Sequence, residues 1–130
     1  MFEEKSIIEL VSSLENSFQE ILSIIKAIGN NKRLKILLTL LTGEKTFENL
    51  KKETKLQKTA LANHLIKLMK ILLIEKPDYG KYKITSDGEL FIRAMENAYK
   101  YSDIRESKGM EVIQRGQFSK DFVDSFFGSS

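Results

Sequence analysis

The first third of the chain has a helical pattern of apolar residues. Large apolar side chains recur at alternating spacings of four and three residues over three heptads, which is typical of one continuous face of an α-helix. The pattern predicts a single amphipathic helix over residues 5–28. Its stripe consists of Ile7, Val11, Leu14, Phe18, Ile21, Ile25 and Ile28. Neighbouring apolar residues widen this face beyond what one small core can cover, so we expect a second copy of the chain to cover it.

Shorter elements follow, separated by turn residues. Gly29 suits the end of the first helix, Asn31 the cap of the second, Thr46 the cap of the third, and Thr85 or Ser86 the cap of the last. The predicted helices cover residues 32–42, 47–54, about 57–71 and 87–101, and the predicted strands roughly 72–76 and 81–85. This order predicts a mainly α fold with a small β-hairpin wing, a winged helix-turn-helix with extra N- and C-terminal dimerisation helices.

The apolar residues of these helices predict which faces are buried. The second helix is expected to bury Leu34, Leu37, Leu38 and Leu41, and the third to bury Phe47 and Leu50. The predicted apolar side of the last helix consists of Leu90, Phe91, Ala94, Met95, Ala98 and Tyr101.

The helix at 57–71 has two chemically distinct sides. Its apolar side consists of Leu61, Leu65, Leu68 and Leu72, and its polar side of Lys58, Thr59, Asn63, Lys67 and Lys70. The hairpin after it turns at residues 77–80 and carries three more lysines. A helix with an apolar back and a basic front can enter a DNA major groove while its back stays packed on the protein.

Charge is segregated along the chain. Residues 51–83 hold nine lysines against three acidic residues, a net charge of +6, whereas residues 1–50 and 84–130 have net charges of −1 and −2. A local basic patch of this kind binds phosphates by displacing their counterions. The alternative interpretation is a solvated, lysine-rich face with no nucleic-acid partner.

Composition excludes several function classes. The 130 residues fit one domain with a real core. There is no cysteine, so disulfides, thiolate metal sites and a cysteine nucleophile are absent. With one histidine and no glycine-rich phosphate loop, an enzyme is not expected. An acidic start and the lack of a membrane-length apolar run predict a cytoplasmic protein that does not span a membrane.

Several of these segments together resemble the ArsR-type winged-helix regulators over about residues 20–101. Residues 33–37 match that family's R-L-x-I-L stretch, and residues 59–68 are similar to its S-x-H-L-x-x-L recognition helix. Gly43-Glu44, Leu73–Lys76, Gly80–Tyr82, Ile84-Thr85 and Gly88 resemble its turns and wing. The resemblance implies a homodimeric repressor that binds double-stranded DNA at a pseudo-palindromic operator, in many relatives released by a metal ion.

The chain departs from that family at its metal sites. Thr46 and Glu48 stand where the cysteine motif would fall, and the only histidine is His64, so no metal site and no cofactor are expected. Lys55 and Leu72 stand where many relatives have glycine at a helix end, so we expect those two turns to be shaped differently. Gln57 replaces the usual Ser or Thr helix cap, which costs about 1 kcal/mol unless Gln57 serves DNA binding.

Individual residues have predicted roles in DNA binding and in dimerisation. Thr59 and Asn63 are expected to face bases, with Gln57 at the entrance of the helix, and the remaining positions to contact the DNA backbone. The predicted DNA-binding residues are Gln57, Lys58, Thr59, Asn63, His64, Lys67, Lys70, Tyr79 and Lys81. The predicted dimerisation residues are Val11, Leu14, Phe18, Ile21, Ile25, Leu90 and Ala94. For His64 a place at the core edge, and for Tyr79 packing within the turn, are open alternatives.

The last segment, residues 103–130, differs from the domain at 1–102. Phenylalanines recur every four residues between 118 and 127, which predicts a short aromatic helix. This helix either packs on its own domain or dimer partner, or docks another protein; the third alternative is that the segment is disordered. The alternative function for the whole chain is a winged-helix protein–protein interaction module that does not bind DNA.

Overall fold

A computed structural model describes residues 4–108 of the chain. Its helices are α1 (Ile7–Asn16), α2 (Phe18–Ile28), α3 (Asn31–Leu41), α4 (Phe47–Thr54), α5 (Lys58–Lys70) and α6 (Ser86–Lys100). Its strands are β1 (Lys45–Thr46), β2 (Ile74–Asp78) and β3 (Lys81–Ile84). The predicted fold class, a mainly helical winged helix-turn-helix, is confirmed. The aromatic segment at 118–127 lies outside the described residues.

The chain forms two compact units, Met1–Gly88 and Glu89–Ser130. The first contains α1 to α5, the whole sheet and the first turn of α6. The second contains the rest of α6, and residues 103–108 are helical as well. The proposed domain boundary after residue 102 stays a prediction.

The N-terminal helix is interrupted, so the prediction of one helix over 5–28 was wrong. Ser17 has φ −118° and ψ 23°, outside the helical range, and it separates α1 from α2. Asn16 and Ser17 both have side chains that compete for backbone hydrogen bonds, which weakens a helix at that point. The apolar spacing continues through the break, and for this reason the pattern alone concealed it.

Helix α3 begins one residue earlier than predicted and buries a different face. The side chain of Asn30, not Asn31, caps it by accepting hydrogen bonds from the amides of Lys32 and Arg33 at 3.0 and 3.1 Å. The buried residues are Ile36, Leu37 and Leu40, while Leu38 and Leu41 are exposed and Leu34 is half-buried. Because apolar residues occupy most sides of this helix, its sequence does not fix the rotation that packing selects.

The wing is a three-stranded antiparallel sheet with the order β1-β3-β2. Strand β1 was not predicted, because a two-residue strand shows no periodicity. It pairs Lys45 with Tyr82 and Thr46 with Lys81. Strand β2 lies at an edge of the sheet, and its pairing is irregular between Glu75 and Asp78. Pro77, which has no backbone N–H to donate, lies in this irregular stretch, where proline is tolerated. The turn between β2 and β3 consists of Tyr79 and Gly80 alone and is therefore shorter than the predicted turn at residues 77–80.

The helix caps predicted at Thr46 and Thr85 are confirmed. The Thr46 hydroxyl accepts from the amide of Asn49 at 3.1 Å, and the Thr85 hydroxyl accepts from the amide of Gly88 at 3.0 Å. A Cβ on Gly88 would lie 2.3 Å from the Leu73 carbonyl oxygen, so only glycine fits this close approach. The β-sheet and the start of α6 are thereby fixed against each other within the first unit.

Two helix ends adopt a left-handed residue without glycine. Lys55, after α4, has φ 58°, and Leu72, after α5, has φ 63°. Both residues have the backbone conformation that glycine adopts most readily, and the expectation that these turns differ in shape from those of glycine-bearing relatives stays a prediction. A non-glycine residue there carries a steric cost of about 1–2 kcal/mol.

The predicted apolar side of α6 is mostly exposed in the single chain. Ile92, which the pattern analysis did not name, is buried, and Phe91 and Ala94 are half-buried. Leu90, Met95 and Tyr101 are exposed. Within residues 4–108, these side chains are left open to solvent.

Candidate nucleic-acid interface

Helix α5 presents the polar face that the sequence predicted. Leu61, Leu65 and Leu68 are fully buried against the core. The opposite side is exposed and carries Lys58, Thr59, Asn63, Lys67 and Lys70. Leu72 does not continue the buried stripe, since it lies after the end of the helix and is 68% exposed. The helix can therefore insert its polar side into a groove without disturbing the core.

An apolar residue lies on this polar face. Ile66 is 47% exposed and lies three residues after Asn63, which itself lies four residues after Thr59. Lys70 follows four residues beyond Ile66. Ile66 was not among the predicted site residues, because the sequence pattern divided this helix into a leucine side and a basic side only. An exposed aliphatic group at this position can contact the methyl group of thymine in a major groove.

A basic cleft adjoins the start of α5. It has a volume of about 380 Å³ and is lined by Glu48, Lys51, Lys52, Lys55, Leu56 and Gln57. Three lysines against one glutamate make it attractive to phosphate. The individual lysines of α4 and its end were not among the predicted site residues, although the charge count of residues 51–83 included them.

Gln57 occupies the cap position of α5 without capping it. Its backbone is extended, with φ −66° and ψ 149°, and its side chain makes no capping hydrogen bond. The side chain thus remains available at the mouth of the cleft. The positive end of the α5 dipole adds to the charge of the surrounding lysines.

His64 lies at the edge of this face, half-buried between helices. Its Nδ1 lies 3.1 Å from Nη1 of Arg33, a residue of α3. Burial is the main cause that lowers the pKa of His64 below 6.5, and the positive charges of Arg33, Lys32 and Lys67 lower it further. The ring is therefore neutral near pH 7. Arg33 belongs to the R-L-x-I-L stretch at residues 33–37, but nothing in the sequence indicated its contact with His64.

The wing tip places an aromatic ring and several cations in solvent. Tyr79 is 98% exposed, and the Nζ of Lys76 lies 5.5 Å from the centroid of its ring and 5.5 Å from that of Tyr82. Lys81 and Lys83 are exposed on β3. The Tyr79 ring is not packed inside the turn, so it can approach a nucleic-acid backbone.

The predicted dimerisation residues lie on α1 and α2 in the first unit and on α6 in the second, and most of them are exposed in the described part of the chain. Helix α1 has no buried residue, and on α2 Phe18 is 56% exposed. Val11, Leu14, Ile25 and Leu90 are exposed, while Ile21 and Ala94 are half-buried. So many exposed apolar side chains in neighbouring helical turns are typical of a surface that another chain covers.

The described part of the chain offers little for other chemistry. Residues 4–108 contain no group of three or more histidine, aspartate or glutamate side chains that could hold a metal ion. None of their helices has both the length and the apolar character needed to cross a membrane.

Comparison with known proteins gives a match in structure only. No protein-family model matches the chain, and no curated protein matches it in sequence. Reduced HlyU from Vibrio cholerae matches with a TM-score of 0.57 and 25% identity, over 67% of this chain and 96% of that one. NolR from Sinorhizobium fredii matches with a TM-score of 0.58 and 24% identity, over 78% of this chain and 100% of that one.

Two further neighbours carry informative descriptions. The transcriptional repressor BigR from Xylella fastidiosa matches with a TM-score of 0.58 and 18% identity, over 68% of this chain and 94% of that one. A homodimeric winged helix-turn-helix DNA-binding domain from Mycobacterium bovis matches with a TM-score of 0.52 and 20% identity, over 77% of this chain and 96% of that one. BigR is described as a transcriptional repressor and the Mycobacterium bovis protein as a DNA-binding domain, in agreement with the expectation from composition that this chain is not an enzyme. By its fold, this chain is a winged helix-turn-helix protein, and its structural neighbours include a transcriptional repressor and a possible ArsR-family transcriptional regulator.

Proposed function

We propose that this protein is a homodimeric transcription regulator that binds double-stranded DNA in a sequence-specific manner and acts as a repressor. One observation carries the proposal: α5 buries its leucines and exposes a polar, basic face between a lysine-lined cleft and a basic wing. A protein-interaction module would have no need to gather phosphate-binding groups on three successive elements around one exposed helix.

The exposed side chains of α5 divide into two functions. Thr59, in the first turn of α5, and Asn63 and Ile66, near its middle, are exposed on the side away from the buried leucines. Base edges lie against this side when such a helix enters the major groove. The Asn63 amide can form two hydrogen bonds with adenine, and Ile66 can contact a thymine methyl group. Gln57 reaches the same groove from the start of the helix.

The phosphate contacts surround this centre. Lys58, Lys67 and Lys70 belong to α5 itself, His64 lies at its edge, and Tyr79 and Lys81 belong to the wing. The cleft adds Lys51, Lys52 and Lys55. Contacts of this kind hold the helix in register but do not distinguish sequences.

Dimerisation gives the operator its symmetry. Two copies joined through α1, α2 and α6 would present two α5 helices to two half-sites, so a two-fold symmetric DNA site is expected. Repression is the activity that the neighbour BigR is described with, and blocking of a promoter needs no contact with other proteins. No metal ion or cofactor takes part in this proposal, because the cysteine positions of metal-sensing relatives hold Thr46 and Glu48.

The proposal is tested by selecting DNA that the full chain binds from a random duplex pool. We expect the enriched sequence to show two-fold symmetry. Asn63→Ala should lower affinity for that sequence about ten- to hundredfold, because one bidentate base contact is worth about 1–3 kcal/mol, while binding to unrelated DNA stays the same. Lys67→Ala should weaken binding to all sequences alike and reduce its salt dependence.

Gln19→Ala is the matched control for Asn63→Ala, since Gln19 is an exposed helical amide residue on α2 that lies off the apolar stripe. It should leave affinity unchanged. Enrichment of no sequence, together with binding that does not depend on salt, would refute the proposal and favour the protein-interaction module instead.

A further inference from the structure

Arg33 joins three helices beside the DNA-facing surface. Its Nε donates to the carbonyl oxygen of Ala27 at 2.9 Å and its Nη2 to that of Lys26 at 3.5 Å, both near the C-terminal end of α2. Its Nη1 lies 3.1 Å from Nδ1 of His64 on α5. One side chain of α3 therefore links the end of a predicted dimerisation helix to the helix predicted to enter the groove.

This geometry determines which ring nitrogen of His64 carries the proton. A guanidinium stays protonated and has only donors, so Nδ1 of His64 must accept the hydrogen bond. A neutral imidazole then has its proton on Nε2. The two carbonyl oxygens of α2 hold the Arg33 guanidinium in place independently of His64. The position of the hydrogen-bond donor is therefore set by α2 and α3 and does not depend on the histidine.

The opposite edge of the ring is available for a ligand. Arg33 is the hydrogen-bond partner that the structure gives His64 within residues 4–108, and that bond occupies Nδ1. The charged groups that face His64 are Arg33 and Lys32 from α3 and Lys67 from α5. All three are cations, which keep the ring neutral and draw an anion towards its free N–H.

We propose that Arg33 is a positioning residue for DNA binding, which holds His64 with its proton on Nε2 and directs that N–H towards a backbone phosphate. This inference rests on the proposed function and adds to it a contact made by a neutral donor. Arg33 acts through His64 and need not touch the DNA. A neutral donor releases no counterion, so this contact changes affinity without changing its salt dependence.

The tautomer is tested first, in the full chain without DNA. The sequence has a single histidine, so nitrogen NMR of isotope-labelled protein reports on His64 alone. Above pH 6.5 we expect the proton on Nε2 in the parent protein and a mixture of tautomers in Arg33→Lys, which keeps the charge but loses the planar fork. A parent ring with its proton on Nδ1 would overturn the inference.

The phosphate contact is tested by a double-mutant cycle on the selected DNA. Arg33→Lys and His64→Ala should each weaken binding about tenfold for the dimer, which corresponds to one ordinary hydrogen bond in each half-site. The double variant should be no weaker than either single variant, because both changes remove the same contact. His64→Gln, which can place an amide N–H near the position of Nε2, should restore most of the affinity.

A merely structural role for Arg33 predicts a different outcome. Arg33→Lys would then weaken binding as much in the His64→Ala variant as in the parent, and this additivity would overturn the inference while leaving DNA binding intact. If Arg33→Lys does not fold, the His64 variants decide, since His64→Ala with parental affinity would also overturn it. A parent protein that binds no DNA would refute the proposed function, and the inference with it.

Discussion

Replacement of Lys55 by glycine is expected to stabilise the protein and weaken its DNA binding at the same time. Lys55 is exposed and has φ 58° and ψ 28° at the end of α4. A Cβ in this conformation costs about 1–2 kcal/mol. Glycine removes that cost but makes the unfolded chain more flexible, which costs about 0.4–1 kcal/mol. The free energy of unfolding should therefore rise by about 0.5–1 kcal/mol, or a few degrees in Tm.

Lys55→Ala separates the conformational effect from the loss of charge. It also removes the ammonium group but keeps a Cβ in the left-handed conformation, so its stability should stay near that of the parent. Unfolding is followed by circular dichroism in urea at equal protein concentrations, because the stability of a dimer depends on concentration. If Lys55→Gly were no more stable than Lys55→Ala, the argument for a strained helix end would be refuted.

The two variants should behave alike in DNA binding. Each removes one cation per protomer from the cleft between α4 and α5. For a dimer this should lower the slope of log affinity against log salt by about 2. A gain in stability with an unchanged salt slope would mean that the cleft does not contact phosphate.

Three other predictions concern the dimer, the histidine and the sheet. Phe18→Glu should convert the dimer to monomers of 15.0 kDa in light scattering, because a charge in an apolar seam is unpaired; the neighbouring change Gln19→Glu should leave the dimer intact. His64 has a pKa lowered in the folded state, so the stability it contributes is present above pH 6.5 and is lost as the pH falls through the folded pKa; His64→Gln should remove this part of the pH dependence of urea unfolding. Gly88→Ala should destabilise the fold by about 1–3 kcal/mol, since its Cβ would meet a backbone oxygen, whereas Asp87→Ala should have little effect.

Features that depend on neighbouring residues were predicted well. The caps at Thr46 and Thr85 follow from hydroxyl groups placed three residues before an amide in the first turn of a helix. The two sides of α5 followed from helical spacing, because its leucines and lysines fall on opposite faces. The segregation of charge that marks the interface was also visible, since most of the lysines lie within one continuous stretch of the chain.

Features that depend on distant partners required the tertiary structure. Strand β1 exists only because Lys45 and Thr46 meet Tyr82 and Lys81, and hydrogen bonds to residues that far away leave no local pattern. Helix α3 is apolar on most sides, so the packing of neighbouring elements selected which residues it buries. The hydrogen bond between Arg33 and His64 spans thirty-one positions.

The sequence by itself determined the order of the elements, the face of α5 that meets solvent and the charge around it, because each of these is set by side chains within a few turns of one another. Tertiary structure alone decided the left-handed residues at Lys55 and Leu72 and the orientation of His64. In each of these cases, the local conformational preference of the residue type is weak or favours a different conformation. Packing of the whole domain contributes more free energy than such a preference costs, and it therefore sets the conformation.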